Sequence, residues 1–256
     1  MPQHLYIITG ASRGMGLALA HALLSPNHRV LGISRQSNEA LKVAAQAQSA
    51  PLTQWTLDLS DSEAAAIALQ VWLSGLKPED LASATLINNA GVIPTIAPLS
   101  GSQPSEVARA LRVGLEAPML LTHAFLNATL GWVNTGWRGP RKVLNISSGL
   151  GRRPMASQAP YCAAKAGMDH FSRCVALDEA QHAHGARVVS LAPGVIDTDM
   201  QVQLRGADAA QFPDRSRFVS LQTDGALSSS QDAAARLVRY LNQPNFGNTV
   251  VDDLRA

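Results

Sequence analysis

Cysteine is scarce, with two residues in 256. Cys162 and Cys174 lie twelve positions apart in what reads as one helix. At about 1.5 Å of rise per residue they stand roughly 18 Å apart and cannot pair. A disulfide framework is excluded, and a reduced, cytoplasmic protein is the expectation. Charge is scarce too. Only 16% of residues are Asp, Glu, Lys or Arg, and the net charge is +2. The charges are dispersed and no Lys/Arg-rich run occurs, which argues against a nucleic-acid partner. Long apolar runs are lacking. The longest, around Met119 to Val133, is interrupted by Thr122, His123, Asn127 and Thr129, so no membrane partner is expected. The opening MPQHLYIITGASRG has no basic region before its apolar run, unlike a secretory signal. GxxxxGK[ST] is missing, which disfavours ATP or GTP chemistry. No His/Cys/Asp cluster has metal-ligand spacing, so no metal is expected. His182 and His184 read as dipole partners at a helix C-terminus. What the chain has instead is apolar mass, 46% of residues, which excludes intrinsic disorder.

That mass is organised as short apolar runs alternating with longer helical patterns. Strands are expected at Leu5–Thr9, Arg29–Ser34, Thr53–Leu57, Thr85–Asn88, Lys142–Ser147, Arg187–Leu191 and near Thr249–Val251. Helices are expected near Met15–Leu24, Asn38–Gln48, Ser62–Ser74, Pro104–Thr129, Tyr161–Ala180 and Gln231–Leu241. Runs such as LYIIT and VVSLA are apolar on both faces, as strands of a buried parallel sheet must be. The alternation predicts an α/β fold: a single-domain, Rossmann-type, doubly wound parallel sheet of about seven strands with helices on both faces. No repeat, linker or low-complexity tract divides it, so residues 1–256 read as one domain. The stretch Thr198–Ser230 carries few strand signals and reads as a lid or binding loop.

Thr9-Gly10-Ala11-Ser12-Arg13-Gly14-Met15-Gly16 joins the first strand to the first helix. Gly10 suits the tight turn, Gly14 lets backbone approach a pyrophosphate, and Gly16 lets helix and strand pack closely. The helix start offers free N–H groups and a positive dipole to phosphate. Asn88-Asn89-Ala90-Gly91 follows the fourth strand, and Tyr161-Cys162-Ala163-Ala164-Lys165 comes further on. The three motifs together, over nearly the whole chain, resemble the short-chain dehydrogenase/reductase family. That resemblance implies a nicotinamide cofactor and hydride transfer at a carbonyl carbon. A narrower resemblance, in Glu116–Thr122, Asn145–Gly149, Ala192–Met200 and Arg217–Leu221, is to the bacterial benzil reductases, a branch near sepiapterin reductase. It implies reduction of one carbonyl of a vicinal diketone to an α-hydroxyketone. The competing readings are a 3-oxoacyl thioester reductase of fatty-acid synthesis and a non-catalytic NADP-sensing protein.

NAD sites place an acid after the second strand, and NADP sites an arginine. Here that strand ends Ser34-Arg35-Gln36. Ser34 and Arg35, with Arg13 from the glycine loop, suit a 2′-phosphate, so NADPH/NADP+ is the expected cofactor. By resemblance, Asp58 contacts adenine and Asn89, Ala90 and Gly91 line the adenosine side. Pro193, Gly194, Ile196 and Thr198 are placed by the same resemblance against the nicotinamide.

Tyr161 and Lys165 sit at i and i+4 on one helix face. A nearby ammonium is expected to lower a tyrosine's pKa toward the working range of an acid–base catalyst. Resemblance also gives Lys165 the nicotinamide ribose. Ser148 stands 13 residues before Tyr161, the spacing of the family's catalytic serine, and Ser147 is the competitor. Catalysis is thus expected from Ser148, Tyr161 and Lys165. Met155, Met200 and Phe218, with Leu204, Phe212, Val219 and the run Arg152–Pro154, are candidates for the substrate wall. One departure stands out. The family's usual Asn, eight residues before Thr122, is Gly114 here. Pro118, lacking an N–H, leaves the Gly114 carbonyl without its helical partner, and a water bridging that carbonyl to Lys165 is the expected substitute. Relatives are dimers or tetramers through their long helices, so a homodimer or homotetramer is expected.

Overall fold

The structure is a computed structural model that describes residues 1–255. Seven strands form one parallel sheet in the order β3-β2-β1-β4-β5-β6-β7. They are β1 Gln3–Thr9, β2 His28–Ser34, β3 Leu52–Thr56, β4 Leu81–Asn88, β5 Arg141–Ile146, β6 Arg187–Ala192 and β7 Val251–Asp253. The central strands are buried along their apolar runs, Leu5 to Ile8 in β1 and Leu86 to Ile87 in β4. β3, at the edge, is half-exposed. The order reverses between β1 and β4, so the crevice beyond their carboxyl ends is where such a sheet binds a ligand.

The helices are α1 Gly14–Ala22, α2 Glu39–Ala47, α3 Ser62–Ser74, α4 Pro104–Leu111, α5 Ala117–Asn134, α6 Ala159–Glu179, α7 Asp199–Gly206, α8 Arg215–Thr223 and α9 Ser230–Leu241. One face of the sheet packs Leu19 of α1, the Leu23 that follows it, and Leu237 and Leu241 of α9. The other packs Leu69 and Leu73 of α3 and Leu121 and Phe125 of α5. Local chemistry sets the helix starts. The side chains of Asn38, Asp61 and Ser229 accept hydrogen bonds from the N–H groups of Leu41, Ala64 and Asp232, satisfying donors that a helix start leaves bare. Pro104 and Pro160 occupy first-turn positions, where a missing N–H costs nothing.

Two expectations change. The helix expected over Pro104–Thr129 is interrupted by a π turn at Arg112–Glu116. The Ala117 N–H reaches back five residues to the Arg112 carbonyl, and Pro118 has no N–H to continue the α pattern. The stretch Thr198–Ser230 contains α7 and α8, whose short length hid them. Its two ends are pinned by Asp197 N–H to Ser228 O and Ser228 N–H to Val195 O, both 2.9 Å. Leu204, Phe212 and Phe218 pack there with Ile96 as a small third core.

The end of α6 is tied to the sheet by a buried ion pair. Arg141 of β5 donates to Glu179 at 2.9 Å and to the His184 carbonyl, also at 2.9 Å. Glu179 also accepts from the Ala186 N–H at 2.6 Å. His182 and His184 lie past the helix end, so the structure uses the His184 backbone and gives neither imidazole a place in the last turn. Removing one partner of a buried pair strands the other charge. Glu179→Gln is expected to lower unfolding free energy by about 3–5 kcal/mol, measured by urea denaturation.

Candidate active site

The glycine loop is shaped by two left-handed residues, Gly10 at φ +71° and Gly14 at φ +55°. Gly16 is needed for a different reason. A Cβ there would lie 2.2 Å from the Gly10 carbonyl oxygen and 2.4 Å from Asn89 Nδ2. The Asn89 amide donates to the Thr9 carbonyl at 2.9 Å, and the N–H groups of Asn89 and Ala90 donate to the Thr9 hydroxyl, each at 2.9 Å. The loop after β4 is thereby clamped to the end of β1. Arg13 caps α1 without a side-chain bond to it, leaving the first N–H groups of the helix turned to the crevice, as anion binding requires.

One cleft of about 1400 Å³ runs from this loop across the carboxyl edge of the sheet. Every residue expected to bind cofactor lines it: Gly10, Ser12, Arg13, Gly14, Met15, Gly16, Ser34, Arg35, Asp58, Asn89, Ala90, Gly91, Tyr161, Lys165, Pro193, Gly194, Ile196 and Thr198. At one end stand Ser34, Arg35, Asp58 and Arg109. The Ser60 backbone N–H holds the Asp58 carboxyl below the usual carboxylate range, with Arg109 and Arg35 adding to the effect. Arg109 was not foreseen, because its helix position alone does not show that it reaches the strand ends. Arg13 departs from expectation. It pairs with Asp199 at the start of α7, across the cleft from the glycine loop.

Ser148, Tyr161 and Lys165 meet at the other end. Lys165 Nζ donates to the Ile146 carbonyl at 2.6 Å and lies 5.8 Å from the centre of the Tyr161 ring. A Cβ on Gly91 would stand 3.9 Å from that ammonium. The choice between the two serines is clear in the geometry. Ser147 commits its hydroxyl to Asp169 at 2.5 Å, whereas Ser148 faces the Tyr161 hydroxyl. The expected lowering of the tyrosine pKa does not appear. Burial pushes Tyr161 up to about 12, the Ser148 hydroxyl pulls it back, and the Cys162 thiol adds to the rise. Burial also pulls Lys165 down to about 8, with Asp169 opposing. The Tyr161 phenol is therefore protonated at neutral pH.

Gly114 sits in the π turn, buried, and a Cβ there would lie 3.1 Å from the Ala164 Cβ. A branched polar side chain at 114 would have to push against α6 next to Lys165. Met155, Met200 and Phe218 line the cleft beyond Ser148, as do Arg153, Pro154 and Leu204. Three expected wall residues fall away. Arg152 turns to Asp169 and the Asp252 carbonyl, Phe212 packs behind Phe218 with ring centres 5.6 Å apart, and Val219 is exposed. The buried polar residues that carry these elements were not foreseen as a group. Asn88 donates to Thr122 and Asn145, and Asn145 donates to Ser172. Among the described residues no cluster of three His, Cys, Asp or Glu could hold a metal.

A family profile for short chain dehydrogenases matches residues 4–209. The chain belongs to the short-chain dehydrogenase family. It is 33% identical over 240 residues to a benzil reductase ((S)-benzoin forming) of Bacillus cereus, covering 94% of each chain. It is 35% identical over 251 residues to the sepiapterin reductase of Xenopus tropicalis, covering 93% of this chain and 90% of that one. Its fold matches the crystal structure of a 3-oxoacyl-[acyl-carrier protein] reductase from Brucella melitensis in complex with NAD, with a TM-score of 0.80 at 21% identity over 99% and 96% of the two chains. This short-chain dehydrogenase is an oxidoreductase of carbonyl or CH–OH groups that uses a nicotinamide cofactor. The cradle fits such a dinucleotide: a glycine turn that excludes side chains, free helix N–H groups, and one continuous cleft.

The clamp around Gly16 sets a test. Gly16→Ala would drive a methyl into the Gly10 carbonyl, so dinucleotide affinity should fall at least about tenfold, roughly 1.4 kcal/mol. Fluorescence titration with NADPH reads this directly.

Proposed function

We propose that this oxidoreductase is an NADPH-dependent carbonyl reductase that converts one carbonyl of a vicinal diketone to an α-hydroxyketone. The observation that carries the reading is the meeting of Ser148, Tyr161 and Lys165 at the point where the dinucleotide cleft opens into an apolar pocket. The similarity to benzil reductases supports the substrate class.

NADPH, when bound, supplies the hydride. The chain supplies the rest. Ser148 donates a hydrogen bond to the substrate carbonyl oxygen and holds it toward Tyr161. Tyr161, protonated at neutral pH, gives its proton to the oxygen as negative charge develops there. Lys165 stabilises the phenolate left behind and would hold the nicotinamide ribose. Met155, Met200 and Phe218 shield the reacting carbonyl from water, with α7 and α8 as the lid. Arg35 and Ser34 would hold a 2′-phosphate, and Arg13 would join them on leaving Asp199. A water held by the Gly114 carbonyl, to which Pro118 offers no N–H, returns a proton through Lys165. Exposed Met119 on α5 and Leu177 on α6 support assembly into a homodimer or homotetramer through those helices, and the scarcity of cysteine supports a cytoplasmic setting.

The test is NADPH oxidation by purified protein over benzil, phenylpropanedione, simple aldehydes and an acetoacetyl thioester. Diketones should be the best substrates, with NADPH preferred to NADH by at least about tenfold in kcat/KM, roughly 1.4 kcal/mol. Tyr161→Phe should lower kcat by about 10²–10⁴ while NADPH binding stays within about threefold. Faster turnover of the thioester would favour a 3-oxoacyl thioester reductase, and tight NADPH binding without oxidation by any carbonyl would favour a cofactor-sensing protein.

A further inference from the structure

One turn of α6 beyond Lys165 lies a buried carboxylate. Tyr161, Lys165 and Asp169 follow one another at i, i+4 and i+8 along one stripe of the helix, and only 8%, 4% and 2% of their surfaces are exposed. Asp169 Oδ1 accepts the hydroxyls of Ser147 at 2.5 Å and Ser190 at 2.7 Å, while Oδ2 accepts Arg152 Nε at 3.2 Å. Three donors converge on this one carboxyl. Two of them are neutral, and a charge buried this deeply needs opposite charge nearby.

Arg152 supplies one such charge, in an ion pair at 3.2 Å, and Lys165 stands one turn away on the same buried stripe. Gly151 passes so near that a Cβ there would lie 3.0 Å from Asp169 Oδ2 and 3.0 Å from the Lys165 carbonyl. The end of β5 fastens both groups at once. Ile146 offers its carbonyl to the Lys165 ammonium, and the next residue, Ser147, gives its hydroxyl to Asp169. The other charged or titratable groups around this pair are few. Tyr161 and Cys162 stand on α6. Arg152 follows β5 and is shared between Asp169, the Asp252 carbonyl at 2.7 Å and Asp253 at 3.9 Å. Asp253 in turn is held by Arg255. From β6 only the neutral Ser190 hydroxyl arrives.

We infer that Asp169 is a positioning residue whose buried negative charge keeps the Tyr161–Lys165 pair in its protonated, reactive state. The inference rests on the roles proposed above for that pair. Burial works against the lysine proton, and Asp169 is the group that opposes it. The sign follows for the pair as a whole. Lys165 Nζ lies 5.8 Å from the Tyr161 ring centre, so a neighbouring charge acts on both. Loss of the first proton lowers the net charge of the pair by one, whichever residue gives it up. A neighbouring negative charge makes that loss harder, and its removal makes the loss easier.

The experiment is a pH profile of diketone reduction together with a titration of Lys165 that needs no turnover. The chain has four lysines, Lys42, Lys77, Lys142 and Lys165, so a ¹³C-lysine NMR titration assigned with Lys165→Arg follows this ammonium alone. In the wild type kcat/KM should fall above about pH 8. In Asp169→Asn the midpoint should move down by about one pH unit, leaving roughly a tenth of wild-type kcat/KM at pH 9 and a value within about threefold at pH 6. Ser147→Ala removes one hydroxyl from the same carboxyl and keeps the charge, so its midpoint should stay in place. An Asp169→Asn profile that drops equally at every pH, or a Lys165 titration that does not move, overturns the inference. If Asp169→Asn fails to fold, Arg152→Gln decides. Freed of its competing cation, Asp169 should raise the midpoint, and an unmoved or lowered midpoint refutes the role. A wild type that reduces no carbonyl compound would sink the functional reading alone, because the NMR titration still reports whether Asp169 holds the Lys165 proton.

Discussion

A sheet buried on both faces tolerates polar side chains only where they bond to one another, and this sheet gathers them at its carboxyl edge. Thr9, Asn88, Asn145 and Ser190 end β1, β4, β5 and β6 or lie near those ends, and all are buried. Thr9 binds the loop after β4 through its hydroxyl and its carbonyl. Asn88 reaches Asn145, Asn145 reaches Ser172 on α6, and Ser190 reaches Asp169 one turn earlier on the same helix. Through these bonds the strand order fixes the separation between the glycine loop and the Tyr161 face of α6. A cofactor cleft and a proton donor built on different helices keep one distance because the strands between them are cross-linked by amides and hydroxyls. The Arg141–Glu179 pair performs the same service at the far end of α6.

Burial does two opposite things at the reaction centre. It raises the Tyr161 phenol and lowers the Lys165 ammonium, so each group shifts toward its neutral form, as a low-dielectric site demands. For a tyrosine that must give up a proton, the shift guarantees that the proton is present. The same burial makes the phenolate expensive. A positive charge beside it is then the natural compensation, and the lysine can supply one only if something holds its own proton in place. On the inference drawn above, the negative charge of Asp169 would serve that purpose, and two serine hydroxyls with the Arg152 guanidinium make the carboxylate tolerable inside the protein.

Much of this was legible in the sequence. Runs apolar on both faces named the parallel strands to within a few residues, since burial on two sides leaves no polar alternation to blur them. The glycine spacing was legible because only glycine fits where Gly16 meets the Gly10 carbonyl. The Tyr161–Lys165 stripe followed from helical periodicity. What escaped depends on contacts distant in sequence. Asp169 looks like any polar residue on a helix until Ser147 and Ser190 are placed beside it. The π turn at Arg112–Glu116 needs Pro118 and the packing of Gly114 on Ala164 together. The helices α7 and α8 are too short and too mixed to show a periodic face. The tyrosine shift failed for another reason: the neighbouring lysine shows in the motif, but the depth of burial that raises the phenol does not.

Arg13 shows why a correction in geometry need not overturn a role. Its guanidinium pairs with Asp199, yet both side chains are largely exposed, at 65% and 72%. Exposed ion pairs contribute about 0–1 kcal/mol, because water screens the attraction and both chains lose freedom to hold it. A ribose phosphate carries up to two negative charges and accepts paired hydrogen bonds from a guanidinium. On that comparison the phosphate wins the arginine whenever it is within reach, and Asp199 returns to solvent at little cost. The pair also spans the two walls of the cleft, from the glycine loop to the first residue of α7. Arg13 exchanging Asp199 for phosphate would loosen the start of α7 as the cofactor seats, whereas Arg35 stands near Asp58 and already lines the cleft. Any preference for the phosphorylated dinucleotide would then draw on the two arginines unequally, despite their shared charge.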